Sequence, residues 1–233
     1  MNSLPQIMNE IETVKTLEEL WRLTEDVTMK YFPDNGLKPI FGNGKTFKPK
    51  FMFIFINPTH ANISSHPDWN GPRFPFIGTK QVWKVFYNAR MFDKKLLDKI
   101  NNSRAWSLKL TYEVLGFLKS KSFYLTNIVK YTERDSSLPD SRKINFFLPI
   151  IKKEIELVKP RYIVTFGKIP FECLTKRKIR LSDYYERIMK NKQLLLFEEK
   201  IRSHKVYIIP SYFPVGRGNP KRAIEILRFL NEL

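Results

Sequence analysis

Cysteine is almost missing from this chain: Cys173 is the one copy in 233 residues. A single thiol excludes a disulfide framework within the chain and any metal or iron–sulfur site built from cysteines alone. In an apolar helical context, Cys173 reads as a small core residue rather than a nucleophile. Histidine is nearly as scarce. His60, His66 and His204 are scattered, and there is no HExxH. A GxxxxGK[ST] phosphate loop and a GxGxxG turn are absent too, Phe41–Gly42–Asn43–Gly44 being only a fragment of the latter. The longest apolar run, Phe51–Ile56, is far too short to cross a bilayer. No basic segment leads into an apolar stretch at the start, so no signal peptide is expected, and the expected location is intracellular.

Acidic residues are also in short supply: 23 stand against 41 lysines and arginines, for a net charge of +18. Solubility alone asks for a magnitude of about 2–8 in a small domain. The excess builds a positive field that attracts polyanions. The cations are spread through the chain rather than gathered on one amphipathic helix, which favours nucleic acid over a membrane surface.

What is present reads as alternating strands and helices. Ile7, Ile11 and Val14, then Leu17, Leu20, Val27 and Tyr31, mark one or two N-terminal amphipathic helices. Phe51–Ile56 is apolar at every position, as a strand buried on both faces must be. Phe123–Val129 and Tyr162–Phe166 read as two further strands, and Leu194–Phe197 with Val206–Ile209 as others that can pair as a hairpin. Helices are expected over about 80–91, 105–118 and onward from Pro170. Ile144, Leu148, Ile151, Ile155 and Val158 carry the clearest helical period. Asn219 caps a last helix with Pro220 at its first position. Residues 176–192 are basic and carry no clear pattern. The expected fold is α/β, a three-layer α/β/α sandwich around a central, mainly parallel four-stranded sheet. A single domain is expected over 1–233, with 1–38 a helical segment and 176–205 a possible basic insertion.

Open parallel sheets bind ligands where the strand C-termini meet, so the loops after the strands are informative. Asn57, before Pro58 at the end of the first strand, can hold a water through its amide or simply cap a turn. Trp69, Arg73, Phe74, Phe76 and Gly78 follow in a long loop. They suit either base stacking or a satellite hydrophobic cluster. Asn127, ending the second strand, can pair with a pyrimidine edge or bond its own turn, and Lys130 is expected near a nucleic-acid backbone. Ser211 to Lys221 places Gly216, Arg217 and Gly218 ahead of a helix start, a place suited to phosphate, with Arg217 able to fill the gap left by an extruded base. The competing reading is a solvated Gly–Pro turn.

Taken in order, these segments resemble the uracil-DNA glycosylase superfamily from about Pro39 to the end. Phe41–Gly42–Asn43–Gly44 resembles its FGxG lead-in, Ile56–Asn57–Pro58 its first motif, and Pro75–Phe76–Ile77–Gly78 its Pro-Phe-Val-Gly stretch. Thr126–Asn127–Ile128–Val129–Lys130 resembles its TNxVK strand end, and the run from Lys159 to Gly167 resembles the strand before its LG turn. The resemblance implies hydrolysis of the glycosidic bond of uracil or a related deaminated base in DNA. Asn57 would position the water, Phe76 would stack on the base, Asn127 would read its edge, and Ile56 and Phe213 would complete the pocket. Lys130, Ser211, Gly216, Arg217, Gly218 and Lys221 would contact DNA, either a duplex with a flipped base or a single strand. No metal or cofactor is implied, and a monomer is expected. Two departures stand out. Tyr131 and Phe147 occupy positions where several relatives carry iron–sulfur cysteines, and Phe213–Pro214–Val215 falls where a His-Pro-Ser motif is common. A non-catalytic damage-binding protein of the same fold and a glycosylase for another base, such as hypoxanthine, are the alternatives. A nucleotide-binding α/β enzyme unrelated to DNA is a third.

Overall fold

The computed structural model describes residues 4–216 and 218–233. Two helices open the chain, α1 (Leu4–Thr13) and α2 (Leu17–Tyr31). Thr16 and Glu19 start α2 with a reciprocal capping box: the Glu19 N–H donates to Thr16 Oγ1 (3.1 Å), and the Thr16 N–H donates to Glu19 Oε2 (3.2 Å). Then follow β1 (Asn43–Gly44), β2 (Phe51–Phe55), α3 (Gln81–Asn88), α4 (Lys94–Asn102), α5 (Leu108–Ser120) and β3 (Phe123–Asn127). The second half runs α6 (Ser141–Val158), β4 (Tyr162–Phe166), α7 (Lys168–Thr175), α8 (Leu181–Asn191), β5 (Phe197–Ile201), β6 (His204–Ser211) and α9 (Pro220–Phe229).

The strands form one sheet in the order β1-β3-β2-β4-β6-β5. The inner four are mutually parallel, and β1 and β5 lie antiparallel along the two edges. The sheet therefore has six strands rather than the expected four. Both edge strands lack an apolar run: β1, which was not expected, is two residues long, and β5 (Phe-Glu-Glu-Lys-Ile), expected as Leu194–Phe197, alternates with solvent. The expected strand Leu194–Phe197 is displaced accordingly. Leu194, Leu195 and Leu196 pack half-buried against the core, and pairing begins only at Phe197. β5 and β6 form the anticipated hairpin. Residues 176–205 thus contain α8 and a strand of the sheet itself.

Two cores sit on the two faces. Phe51, Phe53 and Phe55 point with Phe123, Leu125, Val164 and Phe166 toward α3, α5, α8 and α9. Met52, Ile54, Tyr124 and Ile163 point toward α1, α2, α6 and α7. Phe53 is fully buried, its ring 5.0 Å from Phe86 and 5.2 Å from Phe123. Burying such a ring stabilises the fold by about 1.5–3 kcal/mol. Parallel pairing brings the C-terminal ends of β2, β3, β4 and β6 to one edge, and each crossover then returns over a helical layer. No helix among the described residues is long and apolar enough to cross a membrane.

Candidate functional site

The sheet register aligns four side chains in a row across that edge. Asn127 of β3 pairs with Phe55 of β2, and Phe166 of β4 pairs with Ser211 of β6. The Phe55 and Phe166 rings stack at 4.6 Å between them. Two aromatic rings therefore form a floor with a polar residue at each end. Both polar ends are fully buried, and neither Asn127 Nδ2 nor Ser211 Oγ meets a partner among the described residues. Such a buried donor without an acceptor costs about 1–3 kcal/mol, a cost that a bound group carrying an acceptor would remove. The two ends lie three strand spacings apart, about 14 Å, too far to hold the same small ring.

The remaining candidates gather at the Asn127 end. Phe76 is half-buried and sets its ring edge against Phe55 at 4.6 Å. Its backbone has a positive φ of 72°, strained for a bulky residue. The Phe76 carbonyl accepts from Thr79 Oγ1 (3.1 Å), the Thr79 N–H (3.2 Å) and Trp83 Nε1 (3.2 Å), three bonds that hold this conformation. Ile56 is buried beside Gly167, and its carbonyl accepts from the Val129 N–H at 3.0 Å, so the ends of β2 and β3 stay joined past the strands. Asn57 Nδ2 donates at 3.3 Å to the carbonyls of Pro58 and Ser137. No described group donates to Asn57 Oδ1, which leaves an acceptor for water. The loop 57–79 is otherwise structural. Phe74 is buried, Trp69 Nε1 donates to the Pro72 carbonyl (3.0 Å), and Arg73 is ion-paired with Glu25 at 3.1 Å.

Two of the residues expected to contact DNA are misplaced for that role. Lys130 is 2% exposed and turned inward. Its ammonium donates to Glu154 and Thr126 and, at 2.8 Å, to the carbonyl of Asn127. Glu154 also accepts from Tyr124 OH (2.7 Å) and Thr126 Oγ1 (3.0 Å). Burial pushes the Lys130 ammonium below its usual pKa range while Glu154 opposes the shift, and burial followed by Glu154 raises the Tyr124 phenol well above its own. This network holds Asn127 by its backbone; it does not reach a phosphate. Ser211 ends β6 with its side chain inside the protein and is equally out of reach. Sequence reasoning passed over Glu154, although a carboxylate three residues from Ile151 and four from Val158 interrupts the apolar stripe of α6 and could have been the signal. Phe166, at the end of a strand the sequence shows, is given no role by it, although it shares the parity of Tyr162 and Val164.

Phe213 is half-buried after β6. Its carbonyl accepts from the Asn219 N–H at 3.1 Å, and a Cβ on Gly218 would stand 2.0 Å from that oxygen. Gly216, with φ 58°, and Lys221 are exposed; Arg217 lies outside the described residues. Asn219 Oδ1 accepts from the Arg222 N–H (3.1 Å), which starts α9 as expected. Tyr131 and Phe147 do not fit an iron–sulfur cluster: both are buried, and their rings pack 5.4 and 5.5 Å from Phe32. Among the described residues no three His, Cys, Asp or Glu side chains gather to hold a metal.

No curated protein matches the chain. Residues 41–233, from the glycine-rich lead-in through the last helix, match the family model of the uracil DNA glycosylase superfamily, and the chain belongs to that superfamily, whose members are in general DNA glycosylases.

Proposed function

We propose that this protein, as one domain over 1–233, removes uracil or a related deaminated base from DNA by hydrolysing its N-glycosidic bond. The observation that carries the reading is the buried, unpartnered Nδ2 of Asn127 at the C-terminal end of β3. A flipped base supplies the missing acceptor through a ring carbonyl. Phe76 stacks on the base, and Ile56 and Phe213 narrow the pocket. Asn57 Oδ1 accepts from a water and aims it at the sugar. The water oxygen bonds to the anomeric carbon as the carbon–nitrogen bond breaks. The base leaves with the electron pair and takes up a proton. Donors at its carbonyl stabilise the charge that builds up on the way. Gly216, Arg217, Gly218 and Lys221 hold the strand at the start of α9.

The test is release of free base from a duplex carrying one uracil, with a panel of other lesions beside it. Asn57→Ala is expected to lose about a hundredfold or more in rate, the usual effect of removing one group that acts on the transition state. Equal release by both proteins removes Asn57 from the mechanism. A second reading is a damage binder without catalysis, favoured by Phe213 in the segment where a histidine donor is common. Tight binding to uracil-containing DNA with no base released from any lesion would establish it.

A further inference from the structure

We propose that an open groove beside the site, between the start of α8 and the end of β6, holds the phosphodiester backbone of the DNA strand as it runs away from the flipped nucleotide. This rests on DNA as the partner and extends the interface to a surface that the pocket residues do not include. The groove encloses about 490 Å³ and is lined by Lys168, Lys178, Arg180, Ser182 and Tyr212 among others, with no carboxylate among its lining residues. It adjoins the Ser211 end of the row: Tyr212 follows Ser211, and Lys168 follows Gly167 at the end of β4.

The local sequence forces the charges outward. Lys176 ends α7 in a left-handed conformation, and Ile179 turns in to pack against both cores. Its neighbours Lys178 and Arg180 must then face solvent, and the Lys178 side chain is 91% exposed. Their nearest carboxylates, Glu172 at 3.2 Å and Asp183 at 3.8 Å, make exposed pairs that a phosphate can replace. Tyr212 forms a fixed wall. Its hydroxyl accepts from Arg222 Nη1 at 2.8 Å, and the Arg222 guanidinium lies 4.5 Å from the Tyr185 ring centre and 5.6 Å from that of Tyr212. The start of α7 has no side-chain cap and no acidic residue in its first turn, so it adds positive potential beside Lys168, whereas Asp183 in the first turn of α8 offsets that end. A concave channel lined by cations and a ring fits a strand better than it fits a flat lipid surface.

The experiment measures binding of the full chain to undamaged 20-nucleotide DNA, single-stranded and duplex, between 50 and 200 mM salt. Lys168→Gln/Lys178→Gln/Arg180→Gln is compared with Lys94→Gln/Lys95→Gln/Lys99→Gln on α4, a helix packed on α3 and α5. Both variants lose three charges. The groove variant is expected to bind about tenfold or more weakly, with the slope of log affinity against log salt reduced by about 2, since each phosphate contact contributes roughly 0.7–0.9; the α4 variant stays near the wild type. Equal losses in both variants, or no loss in the groove variant, overturn the proposal. So does groove-dependent binding to phosphatidylserine vesicles without groove-dependent binding to DNA. Base release separates the two readings. DNA binding that needs the groove, with no base released, defeats the glycosylase reading alone. Base release with binding indifferent to the groove defeats the groove alone.

Discussion

At the scale of single residues, the strongest physical constraint near the site is the Lys130–Glu154 pair. Lys130 uses all three of its donors, and Glu154 accepts from three groups, so the network is complete. Gly42 is part of the same construction: a Cβ there would stand 2.3 Å from Glu154 Oε1 and 2.4 Å from Tyr124 OH, which explains one glycine of the Phe41–Gly44 segment. Breaking a buried pair strands a charge and costs about 3–5 kcal/mol. Lys130→Met is therefore expected to be severely destabilised, and adding Glu154→Gln should recover part of the loss, because no bare carboxylate then remains. Urea unfolding of the two singles and the double measures the coupling. Equal stability of Lys130→Met and the double variant would mean that the unpaired Glu154 carboxylate costs no more than an amide there, which would contradict the stranded charge. The double variant also lacks the bond to the Asn127 carbonyl, so its discrimination between bases should decline further than its stability does.

At the scale of elements, the loop from Phe213 to Gly218 is a tight fold held by two backbone bonds, Gly218 N–H to the Val215 carbonyl (3.0 Å) and Asn219 N–H to the Phe213 carbonyl (3.1 Å). Its two glycines do different things. Gly218 lies against the Phe213 backbone with no room for a Cβ, whereas Gly216 faces open space and needs only its positive φ. Gly218→Ala should cost about 1–3 kcal/mol through forced displacement of the loop. Gly216→Ala should cost about 1–2 kcal/mol from backbone strain alone and leave the affinity for DNA nearer the wild type. Unfolding and binding measured side by side would show this ordering, and a reversed order would contradict the loop geometry. The same contrast between local and distant causes decides what could be read from the chain itself. The inner strands and α6 were legible because burial on both faces, or on one helical stripe, leaves a period in the sequence. The helix α4 hides its three buried residues, Leu96, Leu97 and Ile100, in a nine-residue segment, and α8 buries only Tyr184 and Ile188 among charges. The two edge strands had no apolar run to show. For the site, the sequence places Asn57, Phe76 and Asn127 near the C-terminal edge of the sheet, where the structure has them, whereas its reading of Lys130 as a DNA contact fails. The partner of Lys130 lies 24 residues away on another layer, and only the fold reveals which way the ammonium turns.

At the scale of the whole molecule, residues before 41 lie outside the family match yet belong to the second core, where Ile7, Ile11, Leu17, Leu20 and Val27 are buried against the sheet-covering helices. Arg202, in the turn between β5 and β6, clasps this N-terminal layer to the rest. It makes a bidentate pair with Glu12 of α1 (2.5 and 2.6 Å) and stands 3.8 Å from Glu156 of α6. The hydrogen bond from Arg202 is the main cause that lowers the Glu12 pKa from its ordinary 4.5. Burial pushes Glu156 upward, but hydrogen bonds from Lys153 and Ser203 outweigh it and leave that carboxyl lowered too. Folded pKa values below the unfolded ones mean that stability from these groups is fully present above about pH 4.5 and is lost as the pH falls through the folded values. Protonation also removes negative charge from a chain already at +18, which adds repulsion in the compact state. The Glu12 pair is half-exposed, so screening limits its worth to about 0.2–1 kcal/mol. Arg202→Met should therefore melt slightly lower than the wild type at pH 7 and fall less steeply as the pH drops from 5 to 3, with the two melting curves converging at the acid end. Parallel curves over that range would place the acid-sensitive contacts elsewhere and leave α1 held by its apolar face and the bond from Lys153 to the Glu12 carbonyl.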